Sequence, residues 1–274
     1  MAEEEMKLAI IGGGQMAEAV IAGLCKSGQV SPRDIYVSDH KEERIDELKK
    51  RYGIQGSVGA EGFLPRADTV LFAVKPAAMQ LAMQETRAHI AQDACIISIA
   101  AGVSIRSIKE VYPSNPTARV MPNTPLIVGE GMTVFAVSKE ETPADTERLR
   151  ANVERIFSSA GRLQELTEPL IDVATGLSGS GPAYAFLIIE ALADGATALG
   201  LKKQDALRMA AQTLLGASKL VLETGTHPAV LKDSVTSPAG TTAAGLAVLE
   251  EGALRAALQK AVKAAAARAA EIGK

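Results

Sequence analysis

Residues 10–17 read IIGGGQMA, which sets Gly12, Gly14 and Ala17 in the spacing G-x-G-x-x-A. The motif follows an apolar run and opens a helix-patterned stretch, the context in which it has a physical meaning. Gly12 allows a tight turn, Gly14 lets the backbone approach a pyrophosphate, and Ala17 lets the helix pack against the strand. The helix start adds free N–H groups and a partial positive charge. The chemistry served is the holding of a dinucleotide. Beyond the next strand the chain reads Val37-Ser38-Asp39-His40-Lys41. The Asp39 carboxylate suits a free ribose 2′-hydroxyl and NAD, whereas His40, Lys41 and Arg44 suit a 2′-phosphate and NADP. Asp39 serves equally well as a helix N-cap.

Other turns carry further candidates. Val74-Lys75-Pro76 follows the apolar run 69–74, and parallel sheets bind ligands beyond the carboxyl ends of their strands. Lys75 there is either a neighbour of the cofactor or a solvated lysine on a loop. Ala100-Ala101-Gly102 and the stretch MPNTP at 121–125 are equivalent turns; Asn123 in the latter either bonds a nicotinamide edge or is an ordinary turn residue. In the second half, TGLSGSGPAY at 175–184 reads as a flexible turn capped into a helix by Pro182, and residues 227–242 as a second such turn. The segment TSPAGTT at 236–242 offers hydroxyls and free N–H groups at a helix start, which suits either a substrate carboxylate or a well-capped helix.

What is scarce narrows the chemistry. There is no Trp, and there are four Tyr, five Phe, three His and two Cys. A metal cluster or a Ser-His-Asp triad is hard to assemble from that inventory, so a cofactor is expected to carry the reaction and no metal site is assigned. Net charge is 29 − 32 = −3, which argues against a nucleic-acid surface. The longest apolar stretches, 94–103 and 182–189, fall short of the roughly 20 residues of a membrane span. The acidic opening at residues 1–5 does not read as a signal peptide. Cys25 and Cys95 read as reduced core residues rather than a disulfide, so a cytoplasmic protein is expected.

The elements that must position these residues divide the chain of 274 in two. Residues 1–166 alternate strand-like runs (7–11, 35–38, 69–74, 95–99, 118–121, 133–137 and an edge strand at 161–166) with helical stretches that include 42–52 and 144–159. That pattern predicts an α/β Rossmann-type domain with a parallel-rich sheet. Residues 167–274 lose the strand pattern and predict an all-α domain with long helices at 182–199, 203–222 and 242–272. Ten alanines within 22 residues of the last stretch serve either close packing, including a subunit interface, or simple helix propensity.

Taken together, IIGGGQMA at 10–17, AVKP at 73–76, MPNTP at 121–125, TGLSGSGPAY at 175–184 and LKDSVTSPAGTTAAGLAVLE at 231–250 resemble the pyrroline-5-carboxylate reductases. These enzymes make proline by reducing a cyclic imine with NAD(P)H. The resemblance implies a Rossmann domain joined to a helical dimerisation domain, with an active site shared between the subunits of a homodimer; some members assemble five dimers into a decamer. It assigns cofactor contacts to Ile11, Gly12, Gly13, Gly14, Gln15, Met16, Ser38, Ala73, Val74, Lys75, Pro76, Ala100 and Ala101, alongside Asp39 and Asn123 from the reading above. Substrate contacts fall on Glu168, Thr241 and Thr242, with Ser237 and Gly240 beside them. Ser234 stands where some relatives place asparagine, and Gly225 where some place glutamate. NADPH is the expected donor, with NADH as the alternative, because the ribose-phosphate position varies in the family.

The expected substrate, a cyclic imine carboxylate, carries its own positive charge when protonated, which accounts for the sparse acid/base inventory. The Thr242 hydroxyl would bond the ring nitrogen, and Lys75 and Glu168 would tune the local charge. Two rivals remain in view: a β-hydroxyacid dehydrogenase, disfavoured because helix 182–199 has no lysine, and a dinucleotide-responsive regulator, which would lack the SPAGTT turn.

Overall fold

The structure is a computed structural model describing residues 6–272. The acidic opening at residues 1–5 lies outside them. Eight strands form one sheet: β1 Leu8–Ile11, β2 Ile35–Ser38, β3 Gln55–Ser57, β4 Thr69–Phe72, β5 Cys95–Ser98, β6 Thr117–Met121, β7 Gly131–Val137 and β8 Gly161–Glu165. Their order is β3-β2-β1-β4-β5-β6-β7-β8, so the winding reverses between β1 and β4. The first six pair in parallel, β7 runs antiparallel to β6, and β8 is parallel to β7. β1, β4 and β5 are buried along their whole length, as continuous apolar runs covered on both faces must be. Their alternate side chains feed two cores, one holding Ile10, Leu71 and Ile97 and the other Ala9, Val70, Phe72 and Ile96.

The helices beside the sheet are α1 Gln15–Ser27, α2 Glu42–Tyr52, α3 Pro76–Thr86, α4 Ile105–Val111, α5 Pro143–Phe157 and α6 Glu168–Ala174. α2 occupies the residues its charge pattern predicts. β3 and α4 are not legible in the sequence: β3 is three residues of Gln-Gly-Ser at an exposed edge, without an apolar signal. The segment Thr175–Gly179, expected as a flexible turn, is instead a π-helical turn continuing α6. Composition groups residues 167–180 with the helical half, yet Ile171 packs with Val134 and Ala136 of β7 and with Ile105 of α4.

Among the described residues the chain forms two compact units, one of residues up to Ser180 together with those from Ala264 onward, and the other Gly181–Lys263. The second unit contains α7 Gly181–Ala198, α8 Lys203–Thr224, α9 Pro228–Ser234, α10 Thr241–Glu251 and the start of α11 Leu254–Ile272. α7 and α8 pack through small residues, Ala193 against Ala206 and Ala210. The single helix expected over 242–272 is two, because Ala253 takes a left-handed backbone (φ 52°) after Gly252. α9 lies inside the segment read as a turn; His227 caps it, its Nδ1 accepting the Ala229 N–H, with Pro228 in the first turn. Both cysteines are free, Cys95 buried and Cys25 partly so. Among the described residues no helix is long and apolar enough to cross a membrane.

Candidate active site

The ends of β1, β2 and β4 meet where the winding reverses. The Gly12 N–H donates to the Ser38 carbonyl (2.7 Å), and the Ala73 N–H donates to the Ile11 carbonyl (2.8 Å). These bonds gather Ile11, Gly12, Ser38, Asp39, Ala73 and Val74 at one place, and all but Ala73 line a cleft of ≈ 640 Å³. Gly12 has φ 100°, and a Cβ there would stand 2.8 Å from the Ala73 carbonyl oxygen. Gly14 differs: its backbone is ordinary (φ −68°), but a Cβ would project into open space. Gly14 caps α1 with no side-chain bond, so the N–H groups of the helix start face that space. An open approach to an uncapped helix N-terminus fits a pyrophosphate.

Asp39 does not cap α2, whose N-cap is Lys41. Its Oδ2 accepts the Gly13 N–H (2.8 Å) and its Oδ1 the Lys41 N–H (3.0 Å), so the carboxylate braces the glycine turn while lining the cleft. Arg44 braces it from below, its Nε donating to the Gly13 carbonyl (2.6 Å) and its other nitrogens pairing with Glu18 and Glu47. The Arg44 hydrogen bond holds the Glu18 carboxyl below its usual range, helped by Tyr52 and Arg51 against the opposing effect of burial. Arg44 is therefore part of the turn's foundation and is not poised for a 2′-phosphate. No local sequence signal separates that role from the one expected of it, since the distinction depends on Glu18, 26 residues earlier.

The remaining turns are placed less uniformly. Lys75 is exposed at the N-cap of α3, directly before Pro76. Ala100 and Ala101 follow β5, the Ala100 N–H donating to Ser98 Oγ (3.3 Å). The Asn123 amide is engaged internally, donating to the Ser178 carbonyl (2.9 Å) and accepting the Met132 N–H (2.9 Å). In this arrangement it ties the loop after β6 to the start of β7 and to the π-helical turn at Thr175–Gly179.

Glu168 begins α6 and accepts the Ile105 N–H at the start of α4 (2.6 Å), with Arg119 at 3.9 Å. Arg119, on β6 and almost fully buried, pairs with Asp172 (2.5 Å). This triad was not anticipated; Arg119 reads as one polar residue in an apolar strand, and only packing brings α6 to it. Ser237, Gly240, Thr241 and Thr242 belong to the helical unit. The turn is tight, the Gly240 N–H donating to the Ser237 carbonyl (3.0 Å) and Ala239 left-handed (φ 55°). Gly240 caps α10 without a side-chain bond, and the first N–H used within the helix is that of Ala244, bonded back to Gly240. The hydroxyls of Thr241 and Thr242 make no hydrogen bond among the described residues. The turn thus combines free N–H groups and free hydroxyls, the donor set of a carboxylate site.

A doubly wound sheet with its glycine turn at the point of reversal, joined to a helical unit with an anion-ready turn, defines a dinucleotide-dependent oxidoreductase of the Rossmann type. Residues 7–102 match the family described as NADP oxidoreductase, coenzyme F420-dependent, and residues 168–272 that described as pyrroline-5-carboxylate reductase dimerisation. The chain is 43% identical over 269 residues to pyrroline-5-carboxylate reductase of a Synechocystis species, covering 98% of this chain and 99% of that one. Among solved structures, a pyrroline-5-carboxylate reductase from Coxiella burnetii superposes with a TM-score of 0.89 at 34% identity, covering 99% and 100% of the two chains. A pyrroline carboxylate reductase from Plasmodium falciparum with NADP bound gives 0.88 at 29% identity, covering 100% of each. The chain belongs to the pyrroline-5-carboxylate reductase family.

Proposed function

We propose that this chain reduces the C=N bond of 1-pyrroline-5-carboxylate to give L-proline, with NADPH as donor and NADH as the alternative. The observation that carries the reading is the pair of uncapped helix starts, one at Gly14 behind the glycine turn and one at Gly240 behind the SPAGTT turn. The first suits a pyrophosphate and the second a substrate carboxylate. The reduced nicotinamide, when bound, supplies the hydride. The chain's own work is positioning: the N–H groups of residues 241–243 hold the carboxylate, and the Thr242 hydroxyl bonds the ring nitrogen and fixes the face of the neighbouring carbon. A protonated cyclic imine arrives already electrophilic, so no general acid is required. Lys75 and Glu168 adjust the local charge. The NADP-bound relative and the match at residues 7–102 support NADPH.

The working form proposed is a homodimer joined through the helical unit, as the match at residues 168–272 supports, and its active site is proposed to be shared between subunits. Five such dimers forming a decamer is the higher assembly. A cytoplasmic location accords with two free cysteines. The test is oxidation of NADPH and of NADH with pyrroline-5-carboxylate, beside a panel of β-hydroxyacids with the oxidised dinucleotides. Imine-dependent oxidation is expected. Its absence with both donors, or turnover of β-hydroxyacids alone, overturns the reading.

A further inference from the structure

Arg119 is only 4% exposed, on β6 in register with Ser98 of β5. A guanidinium so placed must be matched by carboxylates, and α6 supplies two, Asp172 Oδ1 at 2.5 Å and Glu168 Oε1 at 3.9 Å. The triad therefore sets two negative charges against one positive. Glu168 is held by one oxygen only. Its Oε1 also accepts the Ile105 N–H (2.6 Å), whereas its Oε2 has no partner among the described residues and the side chain is 31% exposed. Of the cations that line a cleft beside Glu168, Lys109 pairs with Glu141, Arg150 with Glu165 and Arg106 with Glu110, and Lys139 is exposed.

Ser98 is the last residue of β5, and Ile105 opens the helix that follows it. The triad thus sits toward the strand ends beyond which a parallel sheet holds its ligands. A protonated cyclic imine is a cation, and a carboxylate with one oxygen fixed and the other free is a group able to meet it. We propose that Arg119 is a positioning residue for imine reduction. It anchors Asp172, and so α6, and it holds the fixed oxygen of Glu168, which leaves Oε2 turned toward the substrate cation. Its single charge keeps the two carboxylates together without cancelling them. This rests on the imine reduction proposed above.

The test is a mutant cycle on the intact protein, read by KM for pyrroline-5-carboxylate, kcat, NADPH Kd and the urea midpoint. Arg119→Met with Asp172→Leu replaces the buried pair by apolar groups, an exchange that buried sites commonly accept, while the partly exposed Glu168 stays hydrated. That variant is expected to raise KM about tenfold, the size of one charge-assisted contact, with kcat and NADPH Kd within about threefold of wild type. In a Glu168→Gln background the same change should leave KM where Glu168→Gln alone puts it, because Arg119 acts through that carboxylate. A merely structural role would raise it further. Arg119→Lys keeps the charge but not the planar fork, and covers the case of a double variant that fails to fold. It is expected to raise KM about threefold, again only while Glu168 is present. A wild-type KM in either folded variant, or a KM effect undiminished in Glu168→Gln, overturns the proposal alone. Absence of imine-dependent oxidation in the wild type overturns the proposed reaction and this inference with it.

Discussion

At the scale of single residues, the site proposed above uses donors rather than acids and bases. Thr242 stands in the first turn of α10 with its hydroxyl unspent. A hydrogen bond to a charged group is worth roughly 1.5–3 kcal/mol, so Thr242→Ala is expected to lower kcat/KM about 10- to 150-fold while leaving the dinucleotide Kd nearly unchanged. Steady-state kinetics beside a binding titration separates the two; a wild-type kcat/KM removes Thr242 from the site. Burial also leaves a titration signature. It pushes the Cys95 thiol up to about 11 and the Tyr112 phenol up to about 12. Both groups are neutral when protonated, and both keep their proton longer folded than unfolded. Their contribution to stability is whole below about pH 9 and is lost as the pH rises through about 11 and 12. The urea midpoint should therefore decline between about pH 9 and 11, and a level midpoint over that interval contradicts it.

At the scale of elements, the glycine turn is a junction of three strands. Gly12 cannot gain a side chain, because its φ is positive and the Ala73 carbonyl is too close. Gly12→Ala is expected to cost about 1–3 kcal/mol in urea unfolding and to weaken NADPH binding tenfold or more, as about 1.4 kcal/mol of displaced backbone would. Stability and affinity both at wild-type values would show that the turn tolerates the change. On the other side of the sheet's switch point, Arg119 joins β6 to α6 through Asp172 and Glu168. That junction explains why residues 168–180 stay with the sheet although their composition resembles the helical half.

At the scale of the whole molecule, the helical unit does not bury its own apolar surface. α7 is an apolar helix of 18 residues, and among them only Ala193 is buried; Phe186 and Leu187 are 62% and 66% exposed. Large exposed apolar surface marks an interface, and α7 lies within the residues that match a dimerisation family. Replacing Phe186 and Leu187 together by glutamate is expected to shift sedimentation equilibrium toward a single chain and to abolish imine reduction, while circular dichroism keeps the helical signal. A variant of unchanged mass places the interface elsewhere.

Several features were determined by the sequence alone because their causes are local. The glycine turn, the buried strands β1, β4 and β5, the extent of α2 and the SPAGTT turn all follow from spacing, apolar runs and caps within a few residues. The family was legible for the same reason, since its motifs are contiguous. Other features were decided only by tertiary structure. Whether Arg44 braces the turn through Glu18, whether the Asn123 amide donates to Ser178, and whether Glu168 stands beside Ile105 and Arg119 depend on partners 26 to 63 residues away. The break at Ala253 and the short edge strand β3 likewise lack a local signal. Hydrogen-bonding groups have several possible partners along a chain, and folding chooses among them by desolvation and distance.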